Sequence, residues 1–366
     1  MPTSDNGSSI FFVGTYSRKG AYFPNASGEG AVTCKLDLQT GHIDQLSACQ
    51  EAVNATYLSD GPAGILLVAS DRYLAPGKVQ AFSIGDQGHL TLVSTQSAHG
   101  TATCHVTYAQ ESRHVFVASY MDGKLSTHII NDGELSAAIH VYSYQGSGPN
   151  KERQEAAHAH QAVISPDGAS LFVCDLGSDK VWVHDMATMS GDIAELTCIE
   201  VPAGYGPRHL AFHPELPIVY ILCELSSHIL RYNKDDQTGA WTLIDDIGTL
   251  PDDYEGTPSA AGIRLHPSGK SLYVSNRGHD SISTFSIDQG GGLTYEARFS
   301  TEGKEPRDFG VDPTRQWLLA ANQDSSSIVT FALDPDSGLP TGRIGEHFSC
   351  GTPVCVHFPK ALNNSK

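Results

Sequence analysis

The fold of this chain is decided by the stretch HQAVISPDGASLFVCD at residues 160–175. This stretch consists of an apolar run, a Ser-Pro-x-Gly turn, a second apolar run and a final polar residue, which together predict an antiparallel hairpin. The same pattern returns in RHLAFHPELPIVYILCE (208–224), IRLHPSGKSLYVSN (263–276) and RDFGVDPTRQWLLAAN (307–322), and weaker copies end in LVA (67–69) and FVA (116–118). Repeats of about 45 to 55 residues predict four-stranded propeller blades.

The two ends of the chain supply the remaining repeat. The segment IFFVG at residues 10–14 resembles a second strand but has no first strand before it. The missing strand is found in GTPVCVHF at residues 351–358, which matches the first strand in GPRHLAF at 206–212. We therefore predict an all-β, seven-bladed β-propeller, a single domain over residues 1–366, in which the N-terminal and C-terminal strands pair within one blade.

The composition limits the partners and the compartment. The 366 residues carry a formal net charge of −18, which excludes nucleic acids and anionic membranes as partners because both need a positive surface. An anionic small substrate would therefore depend on a few locally placed arginines. The eight cysteines form no CxxC pair, and Met1 to Ser9 lack the features of a signal peptide, so we expect reduced thiols in a cytoplasmic protein.

Polar residues flank the predicted hairpins on the side away from the turn. Because the two strands are antiparallel, the start of the first and the end of the second lie at the same mouth of the channel. Counting from the turns predicts the facing pairs Arg208 with Glu224, His160 with Asp175, and Arg307 with Asn322, joined by Arg277 and His105. Arginines that bind an anion, next to a histidine or carboxylate that moves a proton, are typical of an active site for anionic substrates.

Each of these residues also has a purely structural interpretation. Arg208 and Glu224 could form a plain ion pair between strands, His160 could be a hydrogen-bonded histidine beside a turn, and Asp175 could support the backbone. The long connection at residues 142–159 is interpreted as a solvated loop rather than a lid over His160. The pair His158 and His160 indicates a metal only weakly, because alternate residues of a strand point to opposite faces.

The chain resembles the seven-bladed lactonase family, which includes the propeller type of 6-phosphogluconolactonase and the fungal 3-carboxy-cis,cis-muconate lactonizing enzyme. The likeness runs from VGTY (13–16) to TPVCV (352–356). Its most specific motifs are RQEAAHAH (153–160), GPRH (206–209), ELSS (224–227), SNRG (275–278) and EPRDF (305–309). The resemblance implies a site formed by His160, Arg208, Glu224 and Arg277.

The resemblance also implies an activity. We expect a lactone hydrolase that acts on 6-phosphogluconolactone or a related sugar lactone, without a metal or organic cofactor. Glu224 or His160 would activate water, Arg208 and Arg277 would stabilise the oxyanion, and Arg307 would hold a distal phosphate. His105, Asp175 and Asn322 are expected to contact the substrate. The alternatives are a muconate-type cycloisomerase, which closes a lactone, and a propeller that only binds partners.

Overall fold

The strands of this chain are arranged as seven antiparallel sheets. The computed structural model describes residues 7–20, 23–72, 75–188, 196–235 and 237–363. The sheets are numbered as blades in ring order, beginning with the blade that contains both chain ends. Blade 1 comprises β1 (Ser8–Thr15), β2 (Ala31–Asp37), β3 (Ile43–Cys49) and β29 (Pro353–His357). Blade 2 comprises β4 (Ala55–Asp60), β5 (Ile65–Ser70), β6 (Lys78–Ile84) and β7 (Leu90–Ser97), with a short 3₁₀ turn at Asp86–Gly88.

The remaining blades repeat this order. Blade 3 comprises β8 (Thr103–Ala109), β9 (His114–Ser119) and β10 (Lys124–Asn131), whose outer edge pairs with β11 (Glu134–Leu135) and β12 (His140–Ser143). Blade 4 comprises β13 (Ala159–Ile164), β14 (Ser170–Asp175), β15 (Lys180–Asp185) and β16 (Thr197–Glu200). Blade 5 comprises β17 (Pro207–Phe212), β18 (Ile218–Cys223), β19 (His228–Lys234) and β20 (Trp241–Gly248). Blade 6 comprises β21 (Ala260–Leu265), β22 (Ser271–Asn276), β23 (Ser281–Ile287) and β24 (Leu293–Ser300). Blade 7 comprises β25 (Pro306–Val311), β26 (Trp317–Asn322), β27 (Ser327–Leu333) and β28 (Pro340–Ser349), and α1 (Lys360–Asn363) follows β29.

The ring is closed as the sequence predicts. In blade 1 the order is β29-β1-β2-β3, with Val13 opposite Val356. The core consists largely of apolar clusters that each join two neighbouring blades. Phe11 and Val356 of blade 1 pack with Trp317 of blade 7 in the cluster that completes the circle. Within the described ranges, no helix is long and apolar enough to span a membrane.

A bulge interrupts the innermost strand of every blade near its start. The pairing of the first two strands shifts register at this point, so one or two residues of the inner strand are left without a directly opposite partner. The bulge residues are Thr56, Cys104, His160, Arg208, Ala261 with Gly262, Arg307 and Val354. A bulge redirects the side chain of the extra residue and is common beside active sites.

Candidate active site

A cavity of about 750 Å³ lies at the mouth of the channel where the innermost strands begin. Two ring positions supply much of its lining. The first is the bulge, which contributes Thr56, Cys104, His160 and Arg307. The second is the residue that directly follows the second strand of a blade, which contributes Tyr16, Asp71, Tyr120, Glu224 and Arg277. The fold therefore brings together residues from all seven blades at one end of the channel.

Glu224 is the centre of a buried charge cluster. Its Oε1 accepts a hydrogen bond of 2.6 Å from Arg153 Nη2, and its Oε2 lies 3.1 Å from Arg277 Nη2. Arg208 Nε is 3.0 Å from the same Oε2, but its N–H bond is not directed at the oxygen, so this contact is an ion pair without a hydrogen bond. Both carboxylate oxygens are thus engaged by guanidinium groups.

These charges determine the protonation state of the cluster. Burial alone would raise the pKa of Glu224, but Arg277, Arg153 and Arg208 outweigh it and hold that pKa well below its usual value. Burial and the neighbouring Arg277 lower the pKa of Arg208 to about 9, which leaves it cationic at neutral pH. Glu224 is therefore a fixed anion with little tendency to accept a proton.

His160 has the opposite character. Burial, together with the positive charge of Arg208, places the pKa of His160 well below its ordinary value, so the ring is neutral. Its Nδ1 has no hydrogen-bond partner in the described part of the chain. The ring packs against His209 at 5.2 Å and edge-on against Tyr120 at 5.7 Å, measured between centroids. A neutral imidazole on a cavity wall has a free lone pair that can accept a proton, and its lowered pKa makes it a weak base.

Arg307 is the arginine of the cavity that is not committed to a carboxylate. Its guanidinium lies over the ring of Tyr16, 5.7 Å from the centroid, and no carboxylate of the described residues is within 4 Å of it. The neighbouring Asp308 binds Arg264 instead, at 2.8 Å. An unpaired guanidinium on a cavity wall can form bidentate hydrogen bonds to a phosphate or carboxylate.

Sequence reasoning missed the role of Arg153. The connection that carries it is solvated over most of its length, as expected, but it is anchored by Gln154. This side chain is buried and donates from Nε2 to Leu176 O at 2.9 Å and to Asp179 Oδ1 at 2.7 Å. This anchor lets Arg153 reach across to Glu224 and to the hydroxyl of Tyr120, at 3.2 Å. The RQEAAHAH motif was the available signal, since it begins at Arg153.

Of the predicted facing pairs, Arg208 and Glu224 are in contact, whereas His160 with Asp175 and Arg307 with Asn322 are wrong by one position. The bulges displace the register, so Ala159 pairs with Asp175, Pro207 with Cys223 and Pro306 with Asn322. Cys223 is the last residue of the second strand in blade 5, and Glu224 follows it. Asp175 and Asn322 are the last residues of the second strands in blades 4 and 7, so their positions are equivalent to that of Cys223 and not to that of Glu224. Because alternate residues of a strand point to opposite faces, this single step turns both side chains away from the cavity.

Asp175 and Asn322 are engaged with the backbone instead. Asp175 accepts from the amide nitrogens of His158, Gly177 and Ser178 and from Trp182 Nε1, and it does not line the cavity. Asn322 donates from Nδ2 to Thr301 O at 2.9 Å and is also absent from the lining. Their placement supports structural roles rather than the expected contacts with substrate.

His105 lies one residue beyond the bulge of blade 3 and belongs to a different cavity. It lines a space of about 910 Å³ at the turn end of the innermost strands, where its ring packs on Tyr57 with centroids 4.0 Å apart. Burial and the charges of Arg264 and Arg208 lower the pKa of His105 to about 3. The bulge position of this blade is held by Cys104, so the structure does not bring His105 into the candidate site.

Comparison with known proteins agrees with this architecture. Residues 10–358 match the family described as lactonase, 7-bladed beta-propeller. A Bacillus subtilis protein named 6-phosphogluconolactonase is 32% identical over 352 residues, which cover 95% of this chain and 98% of that protein. A Formosa agariphila protein of the same name is 32% identical over 337 residues, 89% of this chain and 93% of that one. The solved structure of a Pseudomonas aeruginosa periplasmic gluconolactonase superimposes with a TM-score of 0.87 at 28% identity and covers 96% of this chain and 99% of its own. The chain belongs to the family of seven-bladed β-propeller lactonases.

Proposed function

We propose that this protein hydrolyses the ester bond of a sugar lactone that carries an anionic group, with 6-phosphogluconolactone as the leading substrate. The observation that carries the proposal is the combination, in one cavity, of a neutral histidine with a guanidinium that has no carboxylate partner. The names of the Bacillus and Formosa relatives support the same substrate. No observation favours the cycloisomerase.

The residues divide the work of hydrolysis between them. His160 accepts a proton from the attacking water, because its imidazole is neutral and lines the cavity. Arg277 lines the cavity and stabilises the oxyanion that develops on the carbonyl oxygen. Glu224 is not the base in this scheme; it holds Arg277 and Arg153 in place.

Arg208 has a supporting role in the same scheme. It is buried behind Glu224, it donates from Nη1 to Ala261 O at 2.6 Å, and it is absent from the cavity lining. We therefore assign oxyanion stabilisation to Arg277 and the positioning of Glu224 to Arg208. Arg307, one blade beyond Arg277 in the ring, binds the phosphate.

Replacement of Arg307 tests the substrate assignment. Arg307→Ala should raise KM for 6-phosphogluconolactone by about tenfold or more, equivalent to roughly 1.4 kcal/mol or more of lost binding, with a much smaller effect on kcat. KM for unphosphorylated gluconolactone should barely change. Rates are measured above spontaneous hydrolysis, and Arg343→Ala, on the outermost strand of the same blade, is the control.

Two outcomes would contradict the assignment. An equal rise in KM for both lactones would show that Arg307 has a structural role, and it would contradict the assignment of Arg307 to phosphate binding. If the wild-type protein accelerates the hydrolysis of neither lactone, a propeller that only binds partners becomes the better interpretation.

We also propose that the protein acts in the cytoplasm. The eight cysteines are free thiols, and several of them are buried in the blades, as in proteins from reducing compartments. The Pseudomonas relative is periplasmic by name, so the compartment is not a property of the fold. Fractionation of the source cells tests this location.

A further inference from the structure

We propose that Tyr120 is the general acid that protonates the ring oxygen of the lactone as the ring opens. This inference rests on the lactone hydrolysis proposed above. Tyr120 follows β9 directly and occupies in blade 3 the ring position that Glu224 and Arg277 occupy in blades 5 and 6. It lines the same cavity, next to His160.

The hydrogen bonds of Tyr120 leave its own proton available. Its hydroxyl oxygen accepts from Arg153 Nη2 at 3.2 Å, and the described residues offer no acceptor for the phenolic proton. Burial raises the pKa of Tyr120, so the phenol remains protonated at neutral pH. A cationic donor on the hydroxyl oxygen polarises the O–H bond and makes it a better donor.

The phenol ring is held in one orientation by His158. The two rings are stacked at 4.4 Å with an interplanar angle of 10°. His158 Nδ1 also lies 2.9 Å from the carbonyl oxygen of Tyr120, and its Nε2 is 3.2 Å from Glu155. A catalytic group needs such support from its neighbours to stay in a productive geometry. His158 is therefore a positioning residue for Tyr120, and this role explains why a histidine occupies the position without the need for a bound metal.

The ring oxygen must gain a proton as the ring opens, and in this scheme Tyr120 supplies it. The oxygen of water bonds to the lactone carbonyl carbon while His160 takes the proton of that water. The bond between the carbonyl carbon and the ring oxygen then breaks, and the ring oxygen takes the proton of Tyr120. An alkoxide is far more basic than a phenolate, so this transfer is downhill. The imidazolium returns its proton to Tyr120, and the hydroxy acid product ionises to release one proton to solvent.

A change of leaving atom tests this role. Tyr120→Phe should lower kcat for 6-phosphogluconolactone by about 10² to 10³, within the range for loss of a general acid, with little change in KM. For the analogue with sulfur in place of the ring oxygen, the loss should be less than about tenfold, because a thiolate leaves without a proton. The exposed Tyr295→Phe is the matched control and should leave both rates unchanged.

The possible results separate this inference from the function on which it rests. Equal losses on the oxygen and sulfur lactones in an active enzyme would overturn the acid role alone, because a structural or oxyanion-binding tyrosine would affect both substrates. Circular dichroism melting of Tyr120→Phe distinguishes such a loss from unfolding. A wild-type protein that hydrolyses neither lactone would overturn the proposed function and the acid role together.

Discussion

At the scale of single residues, the cavity holds a charged carboxylate, Glu224, and a neutral imidazole, His160, which is the base in the proposed mechanism. Glu224 and His160 both line the cavity, and either could have been the base from the sequence alone. The contacts of Glu224 with Arg153, Arg208 and Arg277 stabilise its charged form, whereas burial stabilises the neutral form of His160. Desolvation disfavours the charged form of both residues. The neighbouring arginines outweigh it at Glu224, whereas at His160 it determines the protonation state.

This difference predicts opposite phenotypes for two substitutions. His160→Ala should lower kcat by about 10² to 10⁴ while the melting temperature changes little. Glu224→Gln should lower the free energy of unfolding by about 3 to 5 kcal/mol, because it leaves buried guanidinium groups without their counter-charge. Activity assays and urea melts measure both effects, with the exposed His89→Ala as a control. A catalytically dead but fully stable Glu224→Gln would return the role of base to Glu224.

At the scale of elements, the bulges and the 142–159 connection form the site. The bulge gives His160, Arg208 and Arg307 a common position in blades 4, 5 and 7. In five blades the residue two places before the bulge residue has a positive φ; these residues are Asn54, Ala102, Gly206, Glu305 and Thr352. The chain therefore enters each of these strands through a left-handed residue, and only Gly206 adopts that conformation without a steric cost.

The connection depends on close contact with Gly177. A Cβ atom at this residue would lie 1.8 Å from the carbonyl oxygen of Ala156, so Gly177→Ala must push the connection outward. We expect a loss of about 1 to 3 kcal/mol of stability, faster proteolysis between residues 145 and 157, and reduced turnover as Arg153 leaves Glu224.

The matched control is Gly85→Ala, because a Cβ atom there would meet its nearest neighbour at 3.4 Å, an ordinary contact, and its φ is −88°. Gly177→Ala with native protease resistance and activity would mean that the connection does not hold Arg153 in place.

At the scale of the whole molecule, stability depends on closing the ring. The strand β29 covers the inner edge of β1, and its residues Cys355 and Val356 belong to the cores on the two sides of blade 1. Without β29, an edge of hydrogen-bonding groups and two apolar cores would be exposed.

Deletion of residues 351–366 should therefore lower the melting temperature sharply and promote aggregation. Deletion of 364–366 alone, which removes none of the described strands, is the control. Calorimetry and light scattering measure the two effects. A truncated chain that melts like the full-length protein would show that the pairing of β29 with β1 contributes little to stability.

The sequence by itself determined the architecture. The hairpin repeat, the unpaired IFFVG segment and its partner near the C-terminus are local patterns of apolar residues and turns, and such patterns are sufficient to predict strands, blades and closure. They also identified His160, Arg208, Glu224, Arg277 and Arg307, four of which line the cavity, with Arg208 directly behind Glu224.

Only the tertiary structure decided the register and the contacts on which the proposed division of roles rests. A bulge adds one residue to a strand, and nothing in the sequence marks where it occurs. Because a shift of one residue moves a side chain to the opposite face of the strand, the sequence analysis misplaced Asp175, Asn322 and His105. The charge cluster on Glu224 joins residues 71 positions apart, and the exposure of Tyr120 to the same cavity depends on blades that meet in space. Electrostatic effects depend on distance and burial, which the fold sets and the order of residues does not.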